Sequence, residues 1–136
     1  FVFNHKPKIF AIAEPEICFT RQYMHFASSG YSFLGACKND SVTDSLWVFY
    51  HNSLQDVKII NLCDQLLTCA FNLDGLYVYC SFIYAKNRYQ DRHPLWRDLL
   101  ALSSAIHDPW LVIGDFNAIL SLSEKIGPLH SHSASR

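Results

Sequence analysis

Trp110-Leu111-Val112-Ile113-Gly114-Asp115-Phe116-Asn117-Ala118-Ile119 reads as a strand with a site at its end. Trp110 to Ile113 is a short apolar run with two β-branched residues, the pattern of a strand buried on both faces. Gly114 breaks the run. Asp115 and Asn117 follow two apart, so an extended chain sends both side chains to one side and Phe116 to the other. A carboxylate at a strand end can hold a hard cation or orient a water, and a neutral amide beside it can donate to a phosphate oxygen without adding negative charge. Gly-Asp-Phe-Asn also suits an ordinary turn, because Gly, Asp and Asn are the commonest turn formers. Composition by itself leaves both readings open.

Outward from this stretch, the chain gives the order strand, helix, strand. Upstream, Leu95, Leu99, Leu102 and Ile106 recur at helical steps, with Trp96 and Leu100 widening the apolar face. Pro94 suits a first helical turn, and Asp108-Pro109 closes the segment. Before it, Gly75 to Tyr84 is the longest β-like run. This order predicts a mixed α/β layered sandwich rather than an all-β barrel. Further upstream, Phe33–Cys37, Ser45–Tyr50, Val57–Leu62 and Leu66–Phe71 are β-rich and separated by turn signals, so they predict antiparallel hairpins. Phe1 to Pro7 reads as a helix end or connecting loop, and Ile17 to Gly30 as a loop or short helix.

Ile9 to Ala13 is a continuous apolar run ending at Glu14, which Pro15 is expected to hold extended. Glu14 therefore ends a strand, as Asp115 does. If the two strands run the same way in one sheet, their carboxylates converge at one edge. A solvated carboxylate at a strand end is the plainer alternative for Glu14.

With 136 residues the chain has room for one domain and a single core. Half of it is apolar and Gly and Pro are few, which excludes disorder as its general state. The formal net charge of −1 excludes a globally basic nucleic-acid binder, so any such contact must be local. One segment qualifies. Lys86 to Arg97 holds four basic residues (Lys86, Arg88, Arg92, Arg97) against Asp91 alone, and each can neutralise a phosphate if the loop is exposed. An ordinary solvated loop is the competing reading. No apolar run reaches membrane-span length, so no membrane partner is expected. A chain opening on Phe1 is expected to be a fragment. The five cysteines lack a C-x-x-C pair and read as reduced, buried, small hydrophobes of an intracellular protein.

Gly114-Asp115-Phe116-Asn117 after an apolar strand, followed by Ser123-Glu124-Lys125-Ile126-Gly127, resembles the endonuclease/exonuclease/phosphatase superfamily, and within it the apurinic-type endonuclease domain of plant non-LTR (LINE-type) retroelements. The resemblance spans Lys6 to Gly127 and includes the strand ending at Glu14, Leu46-Trp47-Val48-Phe49, and the strand ending at Tyr84. It implies an α/β (α+β) fold, an incomplete four-layer αββα sandwich of DNase I-like type. Residues 1–127 would form the partial domain and 128–136 a disordered Ser/His tail. It also implies a Mg²⁺- (or Mn²⁺-) dependent phosphodiesterase that nicks DNA. In that scheme Glu14 holds the metal, Tyr84 contacts the scissile phosphate, Asp115 handles the nucleophilic water and Asn117 binds the phosphate. Nuclear localisation follows from the retroelement relationship.

The family pattern also includes an earlier Asn-bearing strand, a later Asp-bearing strand and a closing Ser-Asp-His. No Ser-Asp-His occurs in this sequence. The chain as given is therefore expected to be inactive or nearly so, since loss of one transition-state donor commonly costs about 100- to 1,000-fold. Two alternatives accompany this reading: a non-catalytic relic or binding module, and a phosphatase or phosphodiesterase of the same superfamily acting on inositol phosphates or lipids.

Overall fold

A computed structural model of the chain describes residues 2–16, 19–38 and 43–119. The tail 128–136 and the Ser123–Gly127 segment lie outside the described residues. In chain order the elements are α1 (Val2–His5), β1 (Ile9–Ala13), α2 (Phe19–Ala27), β2 (Tyr31–Lys38), β3 (Asp44–His51), β4 (Gln55–Leu62), β5 (Leu66–Leu73), β6 (Leu76–Tyr84), a 3₁₀ turn (Gln90–Arg92), α3 (His93–Ala105) and β7 (Trp110–Asp115). The segment expected to be a loop or short helix is helical over α2.

The strands form two sheets. β3 lies between β1 and β2 and is antiparallel to both, whereas the second sheet runs β4-β5-β6-β7. The β4-β5-β6 meander is antiparallel, and β7 joins β6 in parallel after the α3 crossover. A parallel neighbour needs such a crossover, because a tight turn can only reverse the chain.

Alternation along the strands sorts the apolar residues into three clusters. Leu46 and Val48 of β3 and Cys37 of β2 face Leu67, Cys69, Phe71, Cys80 and Phe82 of the other sheet, forming the core between the sheets. Trp47 and Phe49, one residue out of phase, turn instead toward Phe26 and Phe19 of α2. Phe10 joins that aromatic layer, 5.1 Å from Phe26 and 5.4 Å from Phe49 between ring centroids. On the far side, Leu66, Ile83, Trp110 and Val112 pack under Leu95 and Leu102 of α3. The layers are thus helix, sheet, sheet, helix, as expected for an αββα sandwich.

Polar residues inside the α3 layer satisfy one another. The Thr68 and Ser81 hydroxyls lie 2.7 Å apart, and the Trp110 indole donates to Ser81 Oγ at 2.9 Å. Without those partners each buried hydroxyl would cost about 1–3 kcal/mol. Cys37, Cys69 and Cys80 are buried and Cys63 half-buried, all as free thiols; burial pushes the first three well above the ordinary thiol value, which leaves them inert.

Two expectations about apolar burial fail. β7 is not buried on both faces: Leu111 and Ile113 are 55% and 51% exposed, because only its α3-facing side is covered among the described residues. Leu100 does not widen a buried helix face; it is 70% exposed, on the side of α3 turned from the sheet.

Candidate functional site

Glu14 and Asp115 end strands of different sheets, which corrects the expectation of one shared sheet edge. Their convergence comes from stacking. Tyr84 and Asp115 are register partners on β6 and β7, so both side chains leave the same face, the one turned toward the β1-β3-β2 sheet. From that opposing sheet Glu14 meets Tyr84, whose hydroxyl donates to Glu14 Oε1. Below this contact a cleft of about 350 Å³ runs between the two sheets, lined by Ile9, Ala11 and Ala13 of β1, by Phe82 of β6, and by Ile113 and Asp115 of β7.

Glu14 is not extended as Pro15 led us to expect; its φ is +48°, although its N–H still donates to Ser45 O at 3.0 Å. A non-glycine residue in this region is uncommon, and such backbones gather at sites where the surroundings over-determine them. Asn117 is a second case, with φ +46°.

That conformation decides how Asp115 and Asn117 are presented. The chain turns after Asp115 rather than staying extended, and Asp115 Oδ1 accepts the Asn117 N–H at 2.8 Å. The turn reading of Gly-Asp-Phe-Asn therefore holds, and the carboxylate that lines the cleft is also the acceptor that closes the turn. The Asn117 side-chain amide is directed at the carbonyl of Ala85, at 2.6 Å. Gly114 is required here, because a Cβ at its position would lie 2.0 Å from the Ile83 carbonyl oxygen.

The electrostatics are those of two carboxylates around one phenol. Tyr84 is pushed up to about 12, first by its hydrogen bond to Glu14, then by burial and by the negative charges of Glu14 and Asp115. It keeps its proton at neutral pH. Among the described residues no three His, Cys, Asp or Glu side chains gather as a metal cage. A hard cation such as Mg²⁺ needs less, because it commonly takes one or two protein carboxylates and fills its remaining positions with water and phosphate. Glu14 and Asp115, whose charges both act on the Tyr84 hydroxyl, are the carboxylates here that could serve in that way.

The four basic residues do not form one exposed patch. Arg88 and Arg97 are exposed. Lys86 is ion-paired with Asp64 at 2.6 Å. Arg92 is 1% exposed, which overturns its placement on a solvated loop. Its Nη1 donates to the carbonyls of Lys86 at 3.2 Å, Asn87 at 2.9 Å and Asn117 at 2.6 Å. Sequence reading also missed Gln65, 1% exposed, which accepts from Lys86 N–H and donates to Asp91 O. Asp64-Gln65 looks like any polar turn between strands, and no local signal distinguishes it.

Comparison with solved structures places this architecture. A humanised zebrafish (D. rerio) TDP2 carrying 14 mutations superposes with a TM-score of 0.64 at 18% identity, over 87% of this chain and 52% of that one. The human Nocturnin catalytic domain, solved with a bound sulfate anion, gives 0.58 at 16% identity, over 87% and 54%. The fold is DNase I-like. D. rerio TDP2 complexed with single-strand DNA product gives 0.58 at 21% identity, over 87% and 51%. This chain therefore spans about half the length of the structures it matches. No family model and no curated protein matches the sequence. No helix among the described residues is long and apolar enough to cross a membrane.

Proposed function

We propose that the chain carries the metal- and water-handling part of a divalent-metal-dependent phosphodiesterase site that acts on DNA, in the manner of a retroelement endonuclease. The observation that carries this reading is the contact of Tyr84 with Glu14 across two sheets, with Asp115, the register partner of Tyr84, lining the cleft between those sheets. The DNase I-like fold supports it, and the DNA product held by one neighbour supports DNA as the substrate class.

Each residue then has a chemical task. Glu14, with Asp115 near it, would hold Mg²⁺ or Mn²⁺, and the cation would supply charge neutralisation at a phosphate. Tyr84, protonated at neutral pH, is a hydrogen-bond donor that can turn from Glu14 to a phosphate oxygen. Asp115 is an acceptor for the proton of an attacking water. Asn117 donates from its amide, and Arg88 and Arg97 stand outside as contacts for the DNA backbone. A nuclear location is part of this proposal.

The test separates binding from turnover. Mn²⁺ titrated into the chain and followed by electron paramagnetic resonance should bind, and Glu14→Gln should weaken that binding by about tenfold or more. Nicking of supercoiled plasmid with Mg²⁺ is then compared with release of phosphate from inositol phosphates and of headgroup from phospholipid vesicles. Weak nicking abolished by Asp115→Ala supports the proposal. Unchanged Mn²⁺ affinity in Glu14→Gln, or turnover confined to inositol phosphates or lipids, overturns it.

A further inference from the structure

We infer that Arg92 is a positioning residue for this site: its buried guanidinium ties the loop after β6 to the turn after β7 and thereby sets the geometry of Asp115 and Asn117. The inference rests on the phosphodiesterase reading only for its catalytic consequence. Its structural content stands separately.

The connection can be followed atom by atom. Arg92 Nη1 donates to Lys86 O and Asn87 O in the loop leaving β6, and to Asn117 O in the turn leaving β7. Asn117 is held at φ +46°. From that conformation its N–H reaches Asp115 Oδ1 at 2.8 Å, and its side chain reaches Ala85 O at 2.6 Å. Ala85 N–H in turn donates to Asp115 O at 2.8 Å. Gln65 braces the same loop from the β4-β5 turn, accepting from Lys86 N–H at 2.8 Å and donating to Asp91 O at 2.9 Å. The carbonyls of three irregular residues thus share one cation at a point that water does not reach.

Burial makes this arrangement more than packing. Desolvating a guanidinium is costly unless its charge is met, and here Nη1 meets three carbonyl dipoles while the guanidinium carbon lies 5.9 Å from the centre of the Tyr89 ring. Arg92 Nε has no partner among the described residues, so the side chain is not placed to satisfy itself. Its position instead serves the carbonyls of the two loops, which it holds against each other. All three bonds leave one nitrogen, Nη1, at the end of the longer side chain; a lysine keeps the charge but places its ammonium one bond short of that point.

The experiment begins with the unaltered chain. By nitrogen-15 NMR, the Arg92 Nη protons should be resolved and exchange with solvent about tenfold or more slower than those of exposed Arg88 and Arg97. Equal exchange rates overturn the inference whatever any variant does. In Arg92→Lys, the Asn117 backbone and side-chain N–H signals should shift and exchange about tenfold faster, while Val48 in the opposing sheet keeps its protection. Asn117 signals unchanged in a folded Arg92→Lys chain also overturn it. If Arg92→Lys does not fold, the comparison passes to Gln65→Leu, which removes the brace but leaves the guanidinium, and the same Asn117 signals should move in the same direction by a smaller amount; no movement overturns the inference. Where plasmid nicking is measurable, Arg92→Lys should lower kcat by about tenfold or more with KM changed less than about threefold. Mn²⁺ affinity unchanged in Glu14→Gln, with Asn117 order still dependent on Arg92, defeats the phosphodiesterase reading and leaves the positioning role intact.

Discussion

Tyr84 and Glu14 stand seventy residues apart in sequence and on opposite sheets, yet the phenol of one donates to the carboxylate of the other. This contact ties the end of β1 to the end of β6 without any backbone pairing between those strands. A phenol that donates to a carboxylate must keep its proton to do so, and a second carboxylate, Asp115, adds to the same bias.

In the metal-free chain Tyr84 should therefore ionise late, near 12 rather than 10, while burial alone raises Tyr31. Between those values the folded chain retains a proton that the unfolded chain has lost, so the stability from this contact is fully present below about pH 10 and falls as pH rises through about 12. Phenolate absorbance followed with pH should show the late step. Glu14→Gln should move it down toward 10, and Tyr84→Phe should delete it. A late step that persists in Tyr84→Phe would place the shift elsewhere.

Gly114 gives a steric prediction. Its φ is +149° and a Cβ there would lie 2.0 Å from the Ile83 carbonyl oxygen, an atom that cannot move without breaking the β6-β7 ladder. Gly114→Ala should cost about 3 kcal/mol or more, combining strain with displaced backbone. Gly75, at φ +88° with nothing within 4 Å, isolates the conformational part, and Gly75→Ala should cost about 1 kcal/mol. Urea denaturation of the two variants measures the difference. Equal losses would mean that β7 is free to move away from β6.

The strands were legible because their signal is local. Ile9–Ala13 is an apolar run with clear breakers whose bounds in the structure are those read from the residues, and the run read from Gly75 to Tyr84 forms a strand over Leu76–Tyr84. The meeting of Glu14 with Tyr84 and Asp115 was legible only in part: each residue ends a strand, but which sheet each strand joins depends on pairings between segments far apart in sequence. Arg92 was not legible at all. A basic residue in a polar loop reads as solvated, since buried arginine is rare, and only the carbonyls of Lys86, Asn87 and Asn117 brought together by folding reveal its place. Glu14 failed differently: the rule for a residue before proline describes the preference of an isolated dipeptide, and the bonds to Ser45 and Tyr84 override it.

β7 predicts the solution behaviour of the chain. Leu111 and Ile113 are half exposed on the cleft side of a strand whose other edge is unpaired among the described residues. Apolar side chains beside an open edge favour association. Replacing both by Lys should lower self-association, read by light scattering at increasing concentration, with stability changed by about 0.5 kcal/mol or less because neither side chain is buried. Association unaffected by the pair would locate it on another face.

DNA binding gives the sharpest use of the Arg92 result. Four basic side chains on an exposed loop would release about four counterions and give a slope of log affinity against log salt between about −3 and −4. The structure removes Arg92 from that count and commits Lys86 to Asp64. Arg88 and Arg97 remain exposed, so the slope for duplex DNA should be about −2, at about −0.9 per phosphate contact. Replacing Arg88 and Arg97 together by Ala should bring it close to zero without unfolding the chain, because neither is buried. Arg92→Ala should behave in the opposite way, leaving little folded protein whose slope could be compared. A slope near −4 in the unaltered chain would mean that other cations reach the phosphates. A slope near zero would remove the electrostatic support for DNA and leave the substrate class resting on the fold alone.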